Sequence, residues 1–156
     1  MAVSTFGYAE CQLRLAGTNL RCVELGGARE LRSAWPKFLR NRDTDLRGIV
    51  WVVDAADQGR MNETSQALDE VLDELETAEK HVPVLILANK CDQRLVLSEA
   101  EVAQRLALHS FGFEHKIVSC SALSGEGVPA AMSWLAERVG PRGLGVRPVQ
   151  SADVQK

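Results

Sequence analysis

An α/β fold, a mostly parallel sheet with helices returning the chain between strands, is predicted by two features of the sequence. Strands are expected at 49–53, 82–88 and 116–120, the first two as continuous apolar, β-branched runs, with helical segments between them. Strand and helix in alternation are the pattern of a parallel sheet with crossovers. A second feature is the polar tetrad Asn89-Lys90-Cys91-Asp92, placed where the run 82–88 ends. Open parallel sheets bind ligands at the carboxyl ends of their strands.

Taken in order, residues 6–15 alternate, with Ala9, Cys11, Leu13 and Leu15 on one face and Tyr8, Glu10, Gln12 and Arg14 on the other. That is a half-exposed strand. Residues 16–19 give a turn signal, and 20–25 return as the partner strand. Gly26-Gly27 ends that strand and permits backbone conformations closed to other residues. Residues 29–40 read as a helix interrupted by Pro36, followed by a charged loop through Asp45. The runs 49–53 and 82–88 have the continuous apolar character of strands covered on both faces. Between them, Leu68, Val71, Leu72 and Leu75 fall at helical spacing. Ser98 and Glu101 form a capping box opening the next helix. A last helix at 128–139 is stopped by Gly140-Pro141. Residues 1–140 make one domain, and 141–156, without periodicity, are expected to be a mobile tail.

Composition narrows the function classes. The chain of 156 residues suits one domain with a proper core. A net charge of −3 gives no reason to expect a nucleic-acid partner. Cys11, Cys22, Cys91 and Cys120 lack metal-ligand spacing and read as reduced thiols. No apolar run reaches the ~18 residues of a membrane span. The Met1-Ala2 start and the Asp153-Val154-Gln155-Lys156 end carry neither myristoylation nor prenylation signals, so no lipid anchor is expected in this form. His81, His109 and His115 share no motif with a carboxylate or cysteine partner. Nothing points to an enzyme built on a metal, a nucleophilic triad or paired carboxylates.

The tetrad carries the sharpest chemistry. A carboxylate such as that of Asp92 can accept from both the N1–H and the exocyclic amine of guanine, and adenine offers neither donor there. Lys90 would lie along the base plane, and Asn89 would tie the loop to its neighbours. A backbone N–H near Ala122, in Ser121-Ala122-Leu123 after the strand 116–120, could donate to guanine O6.

Glu24-Leu25-Gly26-Gly27, then Asn89-Lys90-Cys91-Asp92, then Ser121-Ala122-Leu123 is the motif order of the small GTPases. With Thr5-Phe6-Gly7, Leu31-Arg32-Ser33-Ala34-Trp35, the stretch 50–57 and the stretch 119–127, the sequence resembles the ADP-ribosylation-factor-like branch. The stretch 119–127 is most similar to ARF-like proteins two and three. The resemblance runs over about residues 5–139. It implies a Ras-like, P-loop-NTPase-type sheet with flanking helices, GTP or GDP and Mg2+ as cofactors, and effector or regulator proteins as partners of a monomer. It also implies a cytoplasmic setting, membrane-peripheral or ciliary included, and a switch in trafficking or cargo release.

Carried over by residue, the resemblance places guanine at Asn89, Lys90, Asp92, Ser121, Ala122 and Leu123. It places the phosphate-facing switch at Glu24, Gly26 and Gly27, with Glu24 standing for the family's aspartate. Thr5 matches the family's magnesium-binding threonine. Tyr8 and Phe38 match effector-facing aromatics, and Val23 stands where the family has tryptophan. Ala28 replaces the glutamine that orients the attacking water. No lysine follows a glycine, so the Gly-x-x-x-x-Gly-Lys-[Ser/Thr] loop is not in this sequence. The resemblance therefore implies a domain lacking the first strand, the phosphate loop and the first helix, with weak or absent nucleotide binding. Hydrolysis is expected to be absent or very slow. A nucleotide-free interaction module and a truncated product stay open as alternatives.

Overall fold

The computed structural model describes residues 7–15, 17–40, 45–108 and 112–140. Thr5, His109 and the tail 141–156 lie outside the described residues, as does most of the charged loop before Asp45. The elements run β1 (Tyr8–Leu15), β2 (Thr18–Leu25), a 3₁₀ segment (Arg29–Ala34), α1 (Trp35–Leu39) and β3 (Ile49–Asp54). A 3₁₀ turn (Gln58–Arg60), α2 (Met61–Thr77), β4 (Val84–Asn89), α3 (Glu99–Arg105), β5 (His115–Ser119) and α4 (Val128–Val139) follow.

The described strands form two sheets. β1 and β2 pair antiparallel as a hairpin, and β3, β4 and β5 pair parallel in that order. β4 is central, and its apolar run is buried on both faces, as its sequence predicts. One face of the parallel sheet packs Val53, Val84, Ile86 and Ala88 against Leu68, Leu72 and Leu75 of α2 and Val102 of α3. The other packs Leu85 and Val118 against Ala131, Leu135 and Val139 of α4.

Two expectations are corrected. The run 49–53 is covered on one face only: Val53 is buried, but Val50 and Val52 are 42% and 60% exposed. Both share a face with Leu85 and Leu87 through the register Val50↔Leu85 and Val52↔Leu87, and α4 covers β4 without reaching them. Pro36 does not interrupt a helix but opens α1 near its first position, where a missing N–H costs nothing. Among the described residues the glycines with positive φ are Gly7, Gly17, Gly125 and Gly127, and Gly26 and Gly27 end β2 without it.

Helix boundaries follow local chemistry. Ser98 Oγ accepts from the Glu101 N–H at 3.3 Å, and Glu101 Oε2 accepts from the Ser98 N–H at 2.8 Å, closing the capping box. Arg47 donates to the Val139 carbonyl at 3.0 Å, so the C-terminal end of α4 is held beside the start of β3. The hairpin joins the core through Leu15 and Leu20, which pack on the α4 cluster. A two-stranded sheet is marginal by itself. Amides of residues 8–25 should therefore exchange at least about a hundredfold faster than those of β4. Comparable protection by mass-spectrometric hydrogen exchange would refute this ranking.

Candidate functional site

The carboxyl ends of the three parallel strands are stitched together by backbone. The Ala55 N–H donates to the Asn89 carbonyl, the Cys91 N–H to that of Cys120, and the Cys120 N–H to that of Ala88, each at 3.0 Å. Asn89 ends β4 and reaches across: its Oδ1 accepts from the Ala122 N–H at 2.9 Å, with the Cys120 thiol at 4.0 Å. Asp92 follows in the turn, exposed, and accepts no hydrogen bond from the described residues. An unengaged carboxylate at the end of a buried strand is what the guanine edge needs.

Lys90 adopts φ +73, and its Nζ donates to Asp54 Oδ2 at 2.6 Å. Asp54 ends β3 opposite Asn89 in the strand register and also accepts from the Ala56 N–H at 3.1 Å. Burial pushes the Asp54 carboxyl up, but the Lys90 and Ala56 hydrogen bonds and the charges of Lys90 and Arg60 outweigh it, leaving the group below its usual range. A depressed carboxyl stabilises the fold above its unfolded pKa and loses that effect as pH falls through the folded value. The pair thus stays intact at neutral pH. It borders an open cleft of about 620 Å³ lined by Asp54, Asp57, Gln58, Lys90, Gln93 and Arg94. Sequence reasoning missed Asp54; its only signal was an acidic residue ending the neighbouring strand.

Ser121 is fully buried and organises the third loop. Its Oγ accepts from the Leu123 and Ser124 N–H groups at 3.2 and 3.1 Å, and its carbonyl accepts from the Gly125 N–H at 2.8 Å. The Leu123 side chain is 88% exposed. The Ala122 N–H is donated to Asn89 Oδ1, so a guanine O6 drawing on it would share or displace that bond.

The residues that the resemblance assigns to the switch lie elsewhere. Gly26 donates to the Gly7 carbonyl at 2.9 Å, and its own carbonyl accepts from Trp35 Nε1 at 3.2 Å. Gly27 accepts from Arg32 Nε at 3.2 Å. Neither bonds to the loops at 89–92 or 121–123. Trp35 also packs edge-on against Trp51 of β3, with centroids 5.5 Å apart. Arg32 pairs with Glu63 of α2 at 3.0 Å. Glu24 and Ala28 are exposed. Tyr8 and Phe38 come together edge-on with centroids 5.4 Å apart, Tyr8 being 57% exposed. Val23 shares the Tyr8 face of the hairpin and is half-buried.

The donor set can be tested against the groups the family's chemistry would bring. Asp92 offers an exposed carboxylate beside the loops that Asn89 ties together, the kind of acceptor a guanine edge would need. Thr5, which resembles the family's magnesium ligand, lies outside the described residues. Lys90 is occupied by Asp54, and among the described residues no three His, Cys, Asp or Glu side chains gather to hold a metal.

Sheet order, crossovers and strand-end loops define a Ras-like small-GTPase fold. A profile of the ADP-ribosylation factor family matches residues 1–139, and the chain belongs to that family. It is 33% identical over 133 residues to the ADP-ribosylation factor-like protein alp41 of Schizosaccharomyces pombe, covering 85% of this chain and 68% of that protein. It is 36% identical over 125 residues to ADP-ribosylation factor-like protein 2 of Arabidopsis thaliana, covering 79% of this chain. The chain spans 64% of that relative's length. The Arl6 BBS3 small GTPase of Trypanosoma brucei, solved with the nucleotide analogue GppNp, superposes with a TM-score of 0.78 at 23% identity. That match covers 89% of this chain and 83% of the other and shows the fold. Guanine-nucleotide and Mg2+ binding, and action as a regulatory switch through effectors and regulators, are properties of this family.

Proposed function

We propose that this polypeptide reads guanine through Asp92 and presents its hairpin and α1 to effector or regulator proteins in trafficking or cargo release. Its setting is cytoplasmic, membrane-peripheral or ciliary. The observation that carries the reading is the unengaged Asp92 carboxylate, set beside the Asn89–Ala122 bridge that fixes the two strand-end loops. Nucleotide affinity is low in this form, because the sequence contains no phosphate loop. About four charge-assisted hydrogen bonds of roughly 1.5 kcal/mol each are forgone, which is about four powers of ten in affinity. Hydrolysis is absent or very slow, since the Ala28 methyl group cannot orient water.

Calorimetry of this 156-residue chain with GDP, with and without magnesium, is the test. Binding is expected to be no tighter than about micromolar and largely indifferent to the metal. Tight, magnesium-dependent binding would overturn the low-affinity part of the reading. The exposed Tyr8, packed edge-on against the half-buried Phe38, supports a second reading, a nucleotide-free interaction module. No GDP binding at millimolar concentration would favour it.

A further inference from the structure

Cys11 and Cys22 face each other directly across the hairpin, in the register Cys11↔Cys22, and both are exposed. The bond from the Gly26 N–H to the Gly7 carbonyl marks the facing pair 7/26 as a hydrogen-bonded one. Such pairs alternate along an antiparallel ladder, so 9/24 and then Cys11/Cys22 belong to the same class. Their Cα atoms are then about 5.5 Å apart, inside the range a disulfide spans. Facing Cβ atoms in such pairs stand slightly farther apart than a relaxed disulfide prefers. Closing the bond therefore needs a local increase in strand twist, and a strained, exposed disulfide is readily reduced again.

We propose that Cys11 and Cys22 are a reversible oxidation site that closes to an intramolecular disulfide by exchange with a low-molecular-weight disulfide such as oxidised glutathione. A thiolate of the pair attacks one sulfur of the small disulfide, forming a mixed disulfide and releasing one glutathione thiolate. The second cysteine, deprotonated, attacks the protein sulfur of that mixed bond and releases the second glutathione. The two protein thiols lose two protons and two electrons, and the small disulfide takes up both electrons. The two side chains stand on the same face of the hairpin. Burial, the neighbouring Cys11 and Glu24 raise the Cys22 thiol above its usual range, so exchange is slow at neutral pH and accelerates as pH rises.

The rest of the structure sharpens the assignment. Cys120 is buried, and Cys91 is less exposed than the two hairpin cysteines and has no facing thiol across a strand pair. The hairpin has no third strand among the described residues, so a cross-link closing the stretch 11–22 would hold a sheet that is otherwise marginal. The inference rests only on the hairpin register and is independent of guanine recognition.

The full chain, incubated with graded ratios of oxidised to reduced glutathione, alkylated and digested with trypsin, provides the test. Arg14 and Arg21 lie between the two cysteines, so they fall on separate peptides unless joined by sulfur. A species linking the peptide that ends at Arg14 to the one that begins at Cys22, dissolved by dithiothreitol, is expected. Exchange of amides in residues 8–25 should slow about tenfold in the oxidised protein. Cys22→Ser should leave Cys11 as a glutathione adduct. Four outcomes would each overturn the proposal: both cysteines reduced in excess oxidised glutathione, two separate stable adducts, links between molecules, or bonds to Cys91 or Cys120.

Discussion

GDP should bind this chain about a hundredfold more tightly than ADP, and Asp92→Ala should bring the two to near equality. The estimate follows from two hydrogen bonds to an ionised carboxylate, each contributing about 1.5 kcal/mol at the low end, which together make about two powers of ten. The low end applies because Asp92 is exposed. Water can solvate the carboxylate when adenine leaves it unpaired, so rejection is weaker than in a sealed pocket. The loop should survive the substitution, since Asn89 and Ser121, rather than Asp92, make its internal bonds. Chemical-shift titration of the native chain and the variant with both nucleotides reads the ratio directly. Equal affinity of the native chain for GDP and ADP would remove Asp92 from base recognition.

What could be read in the sequence was whatever depended on local chemistry. The Ser98–Glu101 box has its form because two orphan backbone donors need side-chain acceptors at a fixed spacing. The helix at 128–139 has the boundaries its sequence implies, with proline near its start and Gly140 at its end. The strand before Asn89 is legible because a run buried on both faces must be apolar throughout. The same rule misled at Val50 and Val52, since an apolar run does not record which neighbour covers each face. The Lys90–Asp54 pair and the capture of the Ala122 N–H by Asn89 join segments 36 and 33 residues apart. No periodicity encodes such contacts; they exist only once β3, β4 and β5 are aligned in register. The facing cysteines are similar. Their alternation was visible, but their partnership required the hairpin register, which a one-residue slip would have changed.

Gly127→Ala should be among the most damaging single substitutions in the chain, lowering stability by about 3 kcal/mol or more and the melting temperature by about 10 °C. Gly127 is the N-terminal cap of α4 and has φ +73, a region that costs other residues about 1–2 kcal/mol. Space is the larger problem. A Cβ there would lie 2.1 Å from the Ser119 carbonyl oxygen and about 3.0 Å from Cys120 Cα, both backbone atoms that cannot rotate away. Relief would require α4 to lift from β5, pulling Ala131 and Leu135 away from Leu85 and Val118, or the loop carrying Ser121 and Ala122 to shift. Either movement disturbs the segment that Asn89 ties to the loop at 89–92. Gly125→Ala separates strain from crowding. Gly125 also has a positive φ, +83, but a Cβ there meets no atom within 4 Å, so its loss should stay near 1 kcal/mol. Thermal and urea denaturation of the two variants measures the difference, and equal losses would show that the close approach of α4 to β5 does not govern stability here.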